Sequence, residues 1–183
     1  ACSFGAFSYN GLPVIVCCML VSFLVHWMAF IPSYAFRTEK YYDICGTLAY
    51  VLVLLTAIYL TTSASENSLN TRSMLAIFLV LIWALRLGLF LFVRVLKAGE
   101  DRRFREVKQK FSGFLVWWTI SALWVFLTTV NALVMIINNV PYHSDYYIYI
   151  GLVIWIIGFS FEVVADEQKR RFRLQSSNKD QFI

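Results

Sequence analysis

The chain has 183 residues, of which 60% are apolar, 17% aromatic and only 15% charged. Ordinary soluble domains carry roughly a quarter of charged residues, and a soluble core of this length would not hide so much apolar surface. The composition therefore excludes a disordered chain and predicts that lipid surrounds most of the protein. The net charge of +5 lies between apolar segments, so it indicates orientation in a membrane rather than nucleic-acid binding.

Five segments are long and apolar enough for a membrane-spanning helix, which needs about 20 residues. In chain order they are residues 12–31, 44–62, 73–96, 115–137 and 146–165. No internal repeat or linker interrupts the pattern. The sequence thus predicts an all-α, polytopic membrane bundle of about five helices that forms a single domain over residues 1–183.

The connections between these segments differ sharply in positive charge. Thirteen Lys and Arg residues lie in residues 32–43, 97–114 and the tail from 166, against one in the N-terminal tail and the other two connections. Because cytoplasmic loops are enriched in Lys and Arg, the pattern predicts an N-terminus on the lumenal or outer side. The C-terminus is then on the cytoplasmic, matrix or stromal side, called here the basic side.

Arg86 lies in the middle of the third segment, about 16–20 Å from either end at ~1.5 Å per residue. A charge this deep costs at least ~2.5–3.5 kcal/mol unless it faces a partner or a wet cavity. Two interpretations stay open: a polar pocket inside the bundle, or a structural pair with a carbonyl or with a partner subunit.

Arg94 lies three residues before Lys97, so it is either an anchor that reaches the interface or part of a site. Asp101 is seven residues further on and returns to the same face if the helix continues. Glu162, near the same side of the membrane, makes an Arg94–Glu162 ion pair plausible.

The end of the fifth segment places charged residues on one helical face. Glu162, Asp166, Lys169 or Arg170, and Arg173 recur at intervals of three, four and seven. One interpretation is a helix end with positive anchors and intrahelical ion pairs. The other is an anion site in which basic side chains bind phosphate and acids orient them.

The remaining polar residues give weaker signals. His26 is either a satisfied polar side chain of the first segment or a ligand to a pigment or haem. The four cysteines, Cys2, Cys17, Cys18 and Cys45, show no zinc or disulfide spacing, so we interpret them as packing residues. The sequence predicts no metal site.

Two motifs together resemble a known family. The first is Trp83-Ala-Leu-Arg86-Leu-Gly, followed by Arg94 and by Gly99-Glu100-Asp101-Arg102-Arg103-Phe104; the second is Phe161-Glu162, Asp166, Gln168-Lys169 and Phe172-Arg173, followed by residues 178–183. Over about residues 40–183 the chain resembles the uncharacterised branch of the steroid 5-alpha-reductase-like membrane proteins.

The resemblance implies a helical bundle whose cavity binds NADPH on the cytosolic side and reduces a conjugated double bond of a lipid-like substrate. It implies cofactor proximity for Asp166 and Arg173 and a polar cofactor contact for Glu162. Arg86, Arg94, Asp101 and Arg103 match the branch pattern without an assigned role.

Two functions from different classes are consistent with these features. The chain stops at Ile183, before the Gly-Leu-Trp and Ser-Arg-His-Pro-Asn-Tyr-type segments that complete the cofactor site of the family. We therefore expect an accessory subunit of a larger membrane complex, without a cofactor or with bound lipid or pigment. The alternative is an NADPH-dependent reductase of a lipid or sterol-like enone whose C-terminal part lies outside this chain.

Overall fold

The computed structural model describes residues 8–9, 11–65, 68–139, 146–175 and 178, with the side chains of Tyr9, Ala64, Ser65 and Arg102 left out. Cys2, the 140–145 connection and residues 179–183 lie outside the described residues. The chain divides into two compact units, residues 1–141 and 142–183, and each is described by itself. The single domain over residues 1–183 stays a prediction.

The first unit contains a minimal hairpin and four long helices. Strands β1 (Ser8–Tyr9) and β2 (Leu12–Pro13) pair antiparallel. The helices are α1 (Val14–Ala35), α2 (Tyr42–Ser65), α3 (Thr71–Ala98) and α4 (Phe111–Asn138), and two short 3-10 turns, Arg102–Phe104 and Val107–Gln109, lie between α3 and α4. In the second unit, α5 runs over Tyr146–Leu174.

All five helices are long and apolar enough to cross a membrane, which confirms the predicted all-α multi-pass bundle. Each helix is longer than its predicted segment. α1 nevertheless begins two residues later than predicted, because Leu12 and Pro13 form strand β2, and α5 begins at the predicted Tyr146. The difference arises because apolar patterning ends at the interface, whereas the hydrogen-bonded helix continues beyond it. α5, for example, ends nine residues after the predicted Ala165.

The core of the first unit lies where α1, α2 and α4 pack against one another, while α3 packs against α2 and α4. Its apolar residues form three clusters. The cluster at the basic end is aromatic and comprises Phe30, Phe104, Phe114 and Trp118. The middle cluster comprises Ala49, Tyr50, Ala84 and Val125. The cluster at the opposite end is aliphatic and includes Val14, Cys18, Val53, Leu54, Leu133 and Ile136.

α2 and α3 approach each other closely at Gly88. A Cβ added to Gly88 would overlap the side chain of Thr47, which occupies the space directly above the glycine. Small residues at such crossings let membrane helices pack at short range. This contact fixes the position of α3 along the axis of α2. It therefore also fixes the positions of Arg86 and Arg94 along that axis.

Candidate polar site at the basic end

Arg94 and Asp101 come together although the helix between them ends. α3 stops at Ala98, and Gly99 adopts a φ of 80°, a conformation that suits glycine. The helix therefore does not continue to Asp101, and the condition for a shared helical face with Arg94 is not met. The chain instead turns, and one Asp101 oxygen lies 3.7 Å from Arg94 Nη2.

Arg103 holds the Asp101 carboxylate in a two-pronged contact. Arg103 Nε lies 3.0 Å from Asp101 Oδ1 and Nη2 lies 2.6 Å from Oδ2. The backbone N–H of Arg103 donates to the same Oδ1 at 3.0 Å. Planar, bidentate contacts of this kind are the strongest carboxylate–guanidinium pairs, so Asp101 joins Arg94 on α3 to Arg103 in the connection.

Asp101 remains charged in this setting. Burial works to raise the pKa of its carboxyl group, but the hydrogen bonds from Arg103 and the charges of Arg103 and Arg94 outweigh it. The pKa therefore falls below its usual value of 3.8. Arg94, Asp101 and Arg103 form a compact ionic cluster near the first turn of α2. The positive charges of both arginines also act on Asp43 in that turn.

Glu39 supports this cluster from the connection between α1 and α2. Its side chain is only 2% exposed, and its Oε2 accepts a hydrogen bond from Lys108 Nζ at 2.7 Å. Its other oxygen accepts from the backbone N–H of Asp101 at 3.0 Å. Glu39 thus holds the backbone of Asp101 while Arg103 holds its carboxylate.

Arg37 makes a second connection between the two segments. Its guanidinium donates to the carbonyl oxygens of Lys108 and Gln109, each at 2.9 Å, and lies 4.2 Å from the centre of the Tyr34 ring. Together, the contacts of Arg37 and Glu39 define what we call the loop clasp. Sequence analysis missed it, since a charged residue in a short connection gives no signal of a partner about seventy residues away.

Arg86 lies half-buried in the middle of α3, two residues before Gly88. Its position confirms neither of the two interpretations, so the pocket and the structural pair both stay predictions. The Arg94–Glu162 pair also stays a prediction, because Glu162 belongs to the second unit. What the structure does show is that Arg94 interacts with Asp101.

The basic end of α5 separates its cations into two groups. The helix continues to Leu174, so Glu162, Asp166, Lys169 and Arg173 share one face, as the spacing predicted. On the neighbouring face, Glu167 pairs with Arg170 at 2.6 Å and with Arg171 at 2.7 Å.

Lys169 and Arg173 differ from these two paired arginines. Both are exposed, and neither has an ion-pair partner among the residues that the structure describes. Two cations one helical turn apart, next to a carboxylate and without a described ion-pair partner, match the chemistry of an anion site. The pairs of Glu167 with Arg170 and Arg171 are intrahelical ion pairs, as the first interpretation expects. The anion site stays a prediction.

His26 is fully buried, and both of its ring nitrogens have partners within the first unit. Nδ1 lies 2.8 Å from the Ser22 carbonyl oxygen, and Nε2 lies 3.1 Å from Ser121 Oγ on α4. This places His26 as a satisfied polar side chain, one of the two possibilities that its sequence left open. Within the described parts of the chain, no group of three or more His, Cys, Asp or Glu side chains is arranged to hold a metal ion.

Comparison with known proteins gives one match. The family model described as "Protein of unknown function (DUF1295)" matches residues 29–183. This family is related to the steroid 5-alpha-reductase-like proteins, which agrees with the broad resemblance that the two motifs predicted. No curated protein and no solved structure matches the chain.

Proposed function

The chain belongs to the DUF1295 family, and on that premise we propose that it is the membrane-embedded part of an NADPH-dependent reductase of lipid-like enones. The relation of this family to the steroid 5-alpha-reductase-like proteins supports a reductase. The observation that carries the proposal is that Lys169 and Arg173, beside Asp166 on α5, have no ion-pair partner among the described residues.

The residues of this helix face fit a dinucleotide phosphate. A phosphate group needs donors that are not already neutralised by a carboxylate, and Lys169 and Arg173 meet that condition within the part of the chain that the structure describes. Asp166 and Glu162 supply acceptors for hydroxyl or amide groups on the same face. NADPH supplies a hydride when bound; the role of these side chains is to bind and orient it. The donors that enclose the rest of the cofactor would come from residues outside this face of α5.

The test is direct binding of NADPH to the protein in lipid nanodiscs, followed by fluorescence. Arg173→Ala should weaken binding roughly ten- to a hundredfold, since a hydrogen bond to a charged group contributes ~1.5–3 kcal/mol. Lys169→Ala should weaken it as well. Arg171→Ala is the matched control, because Arg171 is already paired with Glu167.

Two results would contradict the proposal. One is the absence of NADPH binding by a protein that remains folded in the nanodiscs. The other is equal loss of affinity in Arg171→Ala and Arg173→Ala, which would indicate unspecific charge attraction. Loss of NADPH absorbance on addition of an enone lipid would extend the test from binding to catalysis.

An accessory subunit of a larger membrane complex is the second candidate function. The observation that favours it is the outward face of α3, which presents Met74, Phe78, Leu85, Leu89, Val93 and Leu96 to the surroundings. Lipid covers such a face in an isolated protein, and another subunit covers it in a complex. Purification in mild detergent decides: a stoichiometric partner supports this function, and a protein that purifies alone contradicts it.

Orientation is proposed on the positive charge of the connections, with Lys110 on the inner side and Ser68 outside. In a cysteine-free background, an impermeant maleimide added to intact cells should label Ser68→Cys and leave Lys110→Cys unlabelled. Both positions are exposed in the structure, so access to the reagent depends on the side of the membrane. The reverse labelling pattern would overturn the orientation.

A further inference from the structure

Two exposed cations lie where the end of α1 meets the connection that leads into α4. Arg37 follows α1, and its Nη1 donates to the carbonyl oxygens of Lys108 and Gln109, each at 2.9 Å. The next residue, Lys110, directly precedes α4. Arg37 and Lys110 are both exposed, and neither has an ion-pair partner among the described residues. This junction therefore carries positive charge that no described carboxylate neutralises.

One edge of the Arg37 guanidinium remains available to a ligand. Arginine has N–H donors on three nitrogens, and Nε and Nη2 of Arg37 make no hydrogen bond with the residues that the structure describes. Arg103 shows what this edge binds, because its Nε and Nη2 contact the Asp101 carboxylate. A phosphate group offers the same paired oxygen acceptors. The protein thus holds Arg37 at Nη1 and leaves the opposite edge for an anion.

The backbone of Arg37 is fixed in an unusual conformation. Its φ is 51°, in the left-handed region that glycine adopts most readily. The N–H groups of Arg37 and Thr38 donate to the carbonyl oxygens of Tyr34 and Ser33, at 3.2 Å and 2.9 Å, and close the end of α1. Strained residues of this kind persist where the surrounding contacts fix them, and they occur at ligand sites. The position of the guanidinium is therefore set before any ligand arrives.

An aromatic strip continues from Arg37 along the seam between α1 and α4. The guanidinium of Arg37 lies 4.2 Å from the centre of the Tyr34 ring, and Tyr34 contacts the Phe111 ring edge-on at 5.2 Å. Two helical turns further along the seam, the Trp27 indole donates to Thr119 Oγ1 at 3.1 Å. Phe111 is 54% exposed and Trp27 is 45% exposed. The seam thus presents apolar rings to the surroundings below its cationic end.

The strip has the length of a lipid acyl chain. Arg37 and Trp27 are ten residues apart, which is about 15 Å at ~1.5 Å per residue. This length is half of the ~30 Å hydrocarbon core of a bilayer, or one leaflet. With the cations at the level of the headgroups, the rings lie at the depth of the acyl chains.

The surrounding charges favour an anionic lipid over a zwitterionic one. Glu39 is buried in the loop clasp, and the exposed Glu106 forms no ion pair with either cation within the described ranges. A choline group would bring a further positive charge next to Arg37 and Lys110. The ring of Tyr34, which could bind choline by a cation–π contact, already contacts Arg37.

We propose that the seam between α1 and α4 binds an anionic phospholipid of the basic-side leaflet. The lipid phosphate accepts hydrogen bonds from Arg37 Nε and Nη2 and from the Lys110 ammonium group. One acyl chain lies over the rings of Phe111, Tyr34 and Trp27. Basic sites between membrane helices bind anionic headgroups by the same combination of charge and apolar contact.

The bound lipid has a consequence for the loop clasp. Arg37 belongs to the clasp, so a phosphate on its free edge holds the side chain in the position that contacts Lys108 and Gln109. A ligand that binds only the folded protein stabilises it by mass action. The lipid therefore acts as a structural ligand of the first unit, separate from any reaction that the protein performs.

The first experiment measures lipid selectivity by native mass spectrometry of the protein in mild detergent. Phosphatidylglycerol and phosphatidylcholine with identical acyl chains are titrated in parallel, with no NADPH present. We expect phosphatidylglycerol to bind about tenfold more tightly, since each Lys or Arg near an anionic surface contributes a factor of about five. Glycerol 3-phosphate, which has the phosphate without the acyl chains, should not displace the lipid.

Variants at the junction assign the selectivity to its residues. Lys110→Gln should weaken phosphatidylglycerol binding about fivefold and leave phosphatidylcholine binding unchanged. Arg37→Lys keeps the charge but lacks the two-pronged edge, so it should also weaken phosphatidylglycerol. Lys97→Gln is the matched control, because Lys97 is an exposed lysine of the basic end that lies on α3. If Arg37→Lys fails to fold, the comparison of Lys110→Gln with Lys97→Gln still decides.

The second experiment locates the acyl chain. Phosphatidylglycerol with a photoreactive diazirine in one acyl chain is irradiated with the protein in nanodiscs, and the crosslinked peptides are identified. We expect crosslinks within residues 23–34 and 111–119 that decrease in Lys110→Gln. Crosslinks confined to α2 or α3 would overturn the site.

Three further results would overturn the proposal. The first is equal affinity for the two phospholipids, and the second is equal weakening in Lys97→Gln and Lys110→Gln, which would indicate general charge attraction. The third is displacement of the lipid by glycerol 3-phosphate, which would assign the junction to a free phosphate compound. None of these measurements involves NADPH, so failure of the lipid site and failure of the proposed function are distinguishable.

Discussion

Two carboxylates in this protein each accept hydrogen bonds from two donors, but they differ in how far they are exposed to the surroundings. Glu39 is buried and bonds to Lys108 and to the backbone of Asp101, more than sixty residues away. Glu167 is far more exposed and bonds to Arg170 and Arg171, three and four residues away. The first set of contacts fixes the position of two connections, whereas the second supports only the helix that contains it.

The comparison shows that similar polar contacts differ in what they contribute. A buried carboxylate stabilises the fold only while its partners remain in place, because loss of one partner leaves a desolvated group without compensation. An exposed carboxylate exchanges its protein partner for water at little cost. The loop clasp should therefore be sensitive to single substitutions, and the end of α5 should be tolerant of them.

The largest expected effect is that of Glu39→Gln. This change leaves Lys108 without its counter-charge in a half-buried position and should lower the free energy of unfolding by about 3–5 kcal/mol. Denaturant unfolding of the protein in mixed micelles, read by tryptophan fluorescence, measures the change.

Glu167→Gln is the matched control for Glu39→Gln and should leave the unfolding transition in place. The double variant Glu39→Leu, Lys108→Met should recover much of the loss, since both charges are removed together. Equal effects of Glu39→Gln and Glu167→Gln would mean that burial does not distinguish the two sites.

A smaller effect is expected where α2 and α3 meet. Gly88→Ala places a methyl group against Thr47 and should lower the free energy of unfolding by about 1–3 kcal/mol through overpacking. Gly158 on α5 is the control, since an added Cβ there would meet no described atom within 4 Å. Gly158→Ala should leave stability unchanged or raise it by up to ~1 kcal/mol through helix propensity.

The second change at the α2–α3 contact tests its cause. Thr47→Gly removes the side chain that Gly88→Ala would contact, so the combined variant should lose less than the sum of the two single variants. Additive losses would show that the effect of Gly88→Ala arises from the backbone of α3 rather than from crowding.

The smallest effect concerns pH. The folded-state pKa of Asp101 lies below the usual 3.8, so this carboxylate contributes stability above the unfolded-state pKa. That contribution is lost as the pH falls through the lower, folded-state value. The protection of residues 99–110 against hydrogen exchange, taken relative to the intrinsic exchange rate at each pH, should therefore fall below about pH 4.

Asp101→Asn should remove this pH dependence and leave the connection less protected at neutral pH. Glu106→Gln is the control, because Glu106 is exposed and makes no contact with the ionic cluster in the described structure. An unchanged pH profile in Asp101→Asn would assign the transition to another group.

The sequence predicts the helices well and the polar contacts poorly, for a physical reason. Apolar patterning records which solvent surrounds each segment, so it predicts five helices, and the face shared by Asp166 and Arg173 follows from helical period alone. The loop clasp depends on Arg37 and Glu39 meeting the α3–α4 connection, and no local pattern encodes such a pairing.

Asp101 shows both the use and the limit of sequence reasoning. Its spacing of seven residues from Arg94 suggested proximity, and the two side chains do lie 3.7 Å apart. The route is different, because Gly99 ends the helix and the chain turns back. Likewise, the sequence placed His26 in an apolar helix, but it could not identify the partner of the side chain. The hydrogen bond between His26 and Ser121 depends on the packing of α1 against α4.

The loop clasp also has a consequence for the order of biosynthesis. Arg37 and Glu39 leave the ribosome about seventy residues before the carbonyl oxygens and the ammonium group that they bind. The first helical hairpin is therefore inserted with two charged side chains that still lack their partners. Their contacts form only when the connection before α4 has been made, so the clasp cannot form until three of the four helices of the first unit have been synthesised.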